Sequence, residues 1–341
     1  MMLLRKSLFS MVISVCLTVS VSAQEVIVLN GTKDTISWLK AKNFWGEEKR
    51  GEQLQVPRAI ITGISPGWQK NSAKLPVSQK KEIFYRLMLP LVVNANTMVL
   101  EHRADLGGMD AKLANGKSLA ADELRQITKA AEIMKVAKAE QVASKSNAEL
   151  RAMIVDILYK LDVIPAGLVL GQAAYESGYG TSRFAAKGNA LFGQWTYGGT
   201  GMVPGEQRKQ LGDHRVAAYD WPFDSVRAYY INLNSHTAYA GFRKLRAEAH
   251  AAGKPLSSIE LAEGLVNYSE RGQEYVDTLR SMIRVNKLDI ADGAVFRDEP
   301  LSFLVGADSE QAADVVRGEI LELRSTGQLG QVIQRMHLEA M

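Results

Sequence analysis

Ala173-Ala174-Tyr175-Glu176-Ser177-Gly178-Tyr179-Gly180-Thr181-Ser182-Arg183-Phe184 is the stretch on which the fold turns, because it sets one carboxylate where an apolar run becomes polar. The run before it, residues 165–174, reads as a buried helix with Pro165 suited to the first turn. Gly178 and Gly180 end that helix. Glu176 therefore falls in the last turn of a core helix, facing a glycine-lined gap. Partial desolvation and the negative end of the helix dipole both disfavour its ionised form. A carboxyl with a raised pKa is what a general acid needs near neutral pH. The competing reading is a solvated helix-terminal Glu without a role, since most Glu side chains are exposed. The residues around it decide between the two.

Outward from this stretch the chain is mostly helical. Asn147 is suited to cap a helix whose apolar face is Leu150, Met153, Ile154, Ile157, Leu158 and Leu161. Thr181 or Ser182 caps a short helix through Ala185, and residues 188–195 read as a buried strand entry. Residues 196–221 space glycines among Tyr197, Met202, Val203, Val216 and Tyr219, which predicts a small β-lobe. Its charged tip covers residues 206–215. Helices resume with Asp224 or Ser225 as cap and continue over about 238–251, 257–267 and 273–287.

The ends of the chain differ in character. Arg5 and Lys6 precede an apolar run over residues 8–19 and then Val21-Ser22-Ala23, the pattern of a secretory leader cleaved after Ala23. The one cysteine, Cys16, lies inside that leader, so a chain beginning at Gln24 forms no disulfides. Removing Arg5 and Lys6 takes the formal charge from +4 to +2, which gives no case for a nucleic-acid partner. No later stretch reads as a transmembrane helix. Residues 24–76 are irregular, with a short strand at residues 26–29 and a brief apolar run at 60–64. Trp45 and Trp68 are expected to anchor this arm, with sugar stacking as the alternative role. An amphipathic helix starts near Ser78, kinked or broken at Pro90 and closed by Gly107-Gly108. Gly116-Lys117-Ser118 lacks the upstream glycine and strand of a phosphate loop. A polar helix is predicted over 119–143. After Asp292, residues 301–305 look strand-like, and helices are expected over 310–322 and 329–338. His102, His214, His236, His250 and His337 are scattered without metal-ligand spacing, so no metal or other cofactor is expected.

Three segments carry a family resemblance: residues 176–182, the Gly188-Asn189-Ala190-Leu191-Phe192-Gly193 run, and the Tyr268-Ser269-Glu270-Arg271-Gly272-Gln273-Glu274-Tyr275 run. Together they resemble the glucosaminidase domain of glycoside hydrolase family 73, within the lysozyme-like superfamily. Leu75-Pro76-Val77, residues 84–90 and residues 224–236 make the chain more similar still to the Bax family of exported bacterial proteins. The resemblance covers about residues 70–290 and leaves the tail unexplained.

What the resemblance implies is a mainly α, lysozyme-like helical domain with a small β-lobe; the residues on either side of it read as an N-terminal extension and a short α/β C-terminal tail. The expected division is a leader at 1–23, an extension at 24–145, the glucosaminidase domain at 146–290 and the tail at 291–341. The implied activity is hydrolysis of β-1,4 bonds next to N-acetylglucosamine in peptidoglycan glycan strands, by an exported, periplasmic or secreted protein. The alternative is a non-catalytic peptidoglycan-binding or scaffolding protein on the same fold. Glu176 matches the family's general acid and Tyr268 its active-site tyrosine. Asn189, Phe192 and Gly193 match the cleft floor, and Tyr179 and Glu270 are placed with them as substrate contacts. The second carboxylate stays open among Glu206, Asp213, Asp220 and Glu270, with the substrate's acetamido group as a further alternative. Glu206 sits on a glycine-flanked loop able to close over substrate. Glu270 has a structural alternative as an ion-pair partner of Arg271 or Arg183.

Overall fold

The computed structural model describes residues 25–46, 52–65, 67–196, 201–205, 215–307 and 309–326. The leader expected over 1–23, the lobe tip with Glu206 and Asp213, and the helix expected over 329–338 lie outside the described residues. The fold is mainly helical, with few and short strands. At its centre lies the helix Ala166–Ser177, which is buried along nearly all its length. It packs against the long helix Val77–Ala114, the helix Gln273–Val285 and the tight turn Leu288–Ala291. Two glycines permit this closeness. A Cβ on Gly167 would stand 2.5 Å from the Leu288 carbonyl oxygen, and one on Gly171 would stand 3.0 Å from Leu279 Cδ1. Gly178, at φ +58°, ends the helix in the left-handed conformation that glycine tolerates.

The helix Val77–Ala114 runs unbroken through Pro90, Gly107 and Gly108, where a break or an end was among the expectations. Burial explains the difference. Pro90 itself and Met88, Leu89, Leu91, Val92 and Val93 around it are all buried. Each such side chain contributes about 1.5–3 kcal/mol, more together than the roughly 3 kcal/mol that an interior proline costs. By length and composition this helix could cross a membrane, but 72% of its apolar window is buried inside the protein, so it is a core helix. The polar helix expected over 119–143 divides into Ala121–Ile133 and Ala139–Val142, with Lys135 at φ +52° between them. Ser146, not Asn147, caps the helix Asn147–Lys160 and completes a capping box with Glu149.

The irregular arm and the tail meet in one sheet. Its strand order is Glu25–Asn30, Ser302–Ala307, Ala59–Ile61, all parallel, with Ser302 level with both Glu25 and Ala59. A tail strand is thus the middle strand between two strands of the arm. The helix Glu310–Ser325 covers the sheet, and Ile320 is buried. Trp68 anchors the arm to the centre by donating Nε1–H to the Tyr179 carbonyl at 2.8 Å. The predicted β-lobe is a three-stranded antiparallel sheet in which Arg215–Ala217 pairs with Trp195–Thr196 and Gly201–Met202.

Candidate active site

Glu176 opens onto a groove of about 1200 Å³ between the central helix, the β-lobe and the Tyr268 loop. Its side chain is half-buried, and burial holds the carboxyl above the ordinary glutamate range. One hydrogen bond works against that shift: the Tyr275 hydroxyl donates to Oε1 at 2.8 Å. Tyr275 in turn accepts from Gln172 Nε2 at 2.9 Å, and Gln172 Oε1 accepts from the Tyr229 hydroxyl. Gln172, one helical turn before Glu176, has no solvent exposure.

Gly193 forms the floor opposite the carboxylate. Its φ is +60°, and a Cβ there would stand 3.9 Å from Glu176 Oε2. A side chain at this position would fill the space next to the acid. Phe192 lines the groove, but its ring is 2% exposed and stacks on Tyr229 at 4.2 Å between centroids. Its carbonyl accepts from the Tyr268 hydroxyl at 3.1 Å. Tyr268 also stacks on Tyr275 at 5.6 Å with planes 9° apart. Burial first, then the neighbouring Tyr275 and Glu176, push its hydroxyl well above the ordinary tyrosine value, so it stays neutral. Phe192 and Tyr268 are thereby held as a rigid wall beside Glu176.

The remaining expected site residues go to different places. Asn189 is not on the cleft floor. Its Oδ1 accepts from Ile64 N at 3.2 Å, while Nδ2 donates to the Tyr219 and Asp220 carbonyls at 3.1 and 2.8 Å. With both ends of its amide engaged, Asn189 ties the arm to the lobe and leaves nothing for a sugar. Tyr179 also points away from the groove. It packs edge-on to Phe84 and Tyr85, each at 5.8 Å, beneath the ammonium groups of Lys80 and Lys81. Its left-handed backbone, φ +58°, aims it there. Glu270 is exposed and lines the groove. Arg271 bonds Glu274 and the Tyr175 hydroxyl, and Arg183 donates to the Val203 carbonyl at 2.6 Å. Asp220 is exposed and does not line the groove. Among the described residues the groove-lining acids are Glu132, Glu176 and Glu270. No group of three or more His, Cys, Asp or Glu able to hold a metal occurs among the described residues.

Reading the sequence missed three groups at this site. Tyr275 and Gln172 are one; a polar Gln four residues before Glu176 in an apolar helix was the available signal. Trp195 is another, 49% exposed in the groove and thus a flat apolar platform of the kind sugars stack on. The third is the C-terminal end of the helix Ala121–Ile133 and the turn that follows it, where Glu132, Ile133 and Lys135 extend the groove wall. No local pattern links that turn to residue 176.

The likeness to known proteins falls over the segment that builds most of this groove. A family model described as mannosyl-glycoprotein endo-beta-N-acetylglucosaminidase matches residues 152–288. The chain is 29% identical over 235 residues to Protein bax of Escherichia coli (strain K12), covering 66% of this chain and 80% of that protein. No solved structure matches.

Proposed function

We propose that this chain, a Bax-family protein with a glucosaminidase domain, is a glycosidase that cleaves β-1,4 bonds next to N-acetylglucosamine in peptidoglycan. The family match supports the glycosidase reading, and the match and the open groove together favour a glycan polymer as substrate. Glu176 carries the mechanistic reading. It is a half-buried carboxyl with a raised pKa, set against a glycine at the wall of a long groove. A protonated Glu176 donates to the departing glycosidic oxygen as positive charge builds on the sugar ring. The neutral Tyr268 hydroxyl and the Trp195 face border the ring and exclude water from it. A carboxylate from Glu206 or Glu270, or the substrate's own acetamido oxygen, then meets the developing charge. The leader-like residues 1–23 support export to the compartment that holds this substrate.

The test is digestion of purified sacculi by the wild type and Glu176→Gln. The expected result is loss of soluble fragment release by about 10³-fold or more in a variant that binds sacculi normally. Equal release by both proteins removes Glu176 from the mechanism. Binding by the wild type without any release supports the non-catalytic alternative.

A further inference from the structure

The hydrogen-bond chain behind Glu176 has a direction, and the direction decides where the acid's proton sits. Tyr229 is fully buried, and among the described residues its hydroxyl bonds only to the Gln172 side chain. Its hydrogen therefore needs the Gln172 oxygen as acceptor. That fixes the amide with Nε2 toward Tyr275, to whose oxygen it donates at 2.9 Å. The Tyr275 hydrogen is then left for Glu176 Oε1, 2.8 Å away. Reversing the chain would make Glu176 the donor to Tyr275 and Tyr275 the donor to Gln172. Gln172 Nε2 would then face the Tyr229 oxygen, and the Tyr229 hydrogen would be buried without an acceptor. Such a group costs about 1–3 kcal/mol.

We infer that Tyr229, Gln172 and Tyr275 are positioning residues that engage Oε1 of Glu176 with a donated hydrogen bond and leave Oε2, the oxygen facing Gly193 and the groove, as the one that carries the proton. In a free carboxyl the proton is shared between two oxygens and two orientations. Here it is presented on the side where a glycosidic oxygen would lie. The same donor that selects the oxygen also stabilises the carboxylate, in opposition to burial. The other titratable groups around Glu176 are the hydroxyls of Tyr229, Tyr239 and Tyr268, which burial keeps neutral, and Glu132, Lys135, Tyr175, His236, Glu270 and Arg271 along the same groove.

This inference rests on Glu176 acting as the acid, and its test separates the two ideas. Glu176 is titrated directly by carboxyl ¹³C NMR, assigned by its disappearance in Glu176→Gln, in the wild type and in Tyr275→Phe. No substrate is needed. The expected result is a higher midpoint in Tyr275→Phe, because a donor to the carboxylate is lost. On sacculi the same variant is expected to lose about tenfold to a hundredfold in kcat with KM little changed. Its basic limb of activity should move to higher pH, which a merely loosened site would not produce. If Tyr275→Phe does not fold, Tyr229→Phe is read in its place; it should raise the midpoint by less and in the same direction. A folded variant whose midpoint stays put or falls overturns the inference. A raised midpoint in a protein that releases nothing from sacculi leaves the network standing and removes the hydrolase reading.

Discussion

Gly193→Ala tests the geometry in front of the acid. A Cβ at this position meets one atom within 4 Å, Glu176 Oε2 at 3.9 Å, which is ordinary van der Waals contact. The folded protein thus has room for the methyl. The structural cost is the left-handed backbone, φ +60°, worth about 1–2 kcal/mol for a residue with a Cβ. A protein of this size should then melt only about 2–8 °C lower. Catalysis should suffer far more. Proton transfer requires the glycosidic oxygen within about 2.6–3.2 Å of the donating carboxyl oxygen. A methyl carbon 3.9 Å from that same oxygen takes up part of the volume the oxygen and its attached sugar carbons must enter. A displacement of about 1 Å is enough for a hundredfold loss, or about 2.7 kcal/mol in the barrier. The assay is soluble fragment release from sacculi, set beside a thermal melt of the same preparation. Wild-type kcat/KM in a folded Gly193→Ala protein would show that substrate does not approach Glu176 past this glycine, and the assignment of the groove would be lost with it.

Two further outcomes follow from residues away from the groove. Asn189→Ala removes three hydrogen bonds at a position with φ +49°, so it should lower stability by about 2–4 kcal/mol in urea unfolding; the activity of the folded fraction should stay near wild type, and a selective fall in kcat would return Asn189 to the site. Burial pushes the Asp292 carboxyl up to about 6 from 3.8, although Gly167 N and Ser258 N, both in first turns of helices, donate to it. The folded state binds this proton more tightly. Its contribution to stability is therefore full below about pH 3.8, declines as the pH rises through about 6, and is level above that. Asp292→Asn should flatten this decline, on the order of 2–3 kcal/mol, when urea midpoints are compared at pH 4 and pH 7; an unchanged slope would place the titration elsewhere.

Much of the fold was legible because its signals are local. A buried apolar run ended by Gly178 gave the central helix, and glycine spacing gave the lobe. Short apolar runs marked the strands near residues 26 and 302, while the strand Ala59–Ile61 showed only as a brief apolar run. Their pairing was not legible, because parallel strands far apart in sequence carry no turn between them. Pro90 misled for a related reason: its local cost is visible in the sequence, while the burial that outweighs it is not. At the site, Glu176, Gly193, Phe192 and Tyr268 do meet at one groove. Asn189 and Tyr179 lie beside them in the chain yet face away, because left-handed backbones turn them out. Tyr275 lies in the run that begins at Tyr268 and Gln172 in the apolar run before Glu176, and neither position shows its role. Hydrogen-bond direction is a property of the packed interior and cannot be read along the chain.

The parallel sheet also bears on the order of folding. Its middle strand, Ser302–Ala307, is made last, and the two strands it joins, Glu25–Asn30 and Ala59–Ile61, are made first. While a ribosome is still reading the residues that lie between them and the middle strand, those early strands have no partner between them. They must wait, solvated, through the synthesis of the whole helical core. Contacts of such long sequence separation close late. The helical core can therefore condense first and the sheet close over it as the final step, so that an interrupted chain would hold a formed groove and an open arm.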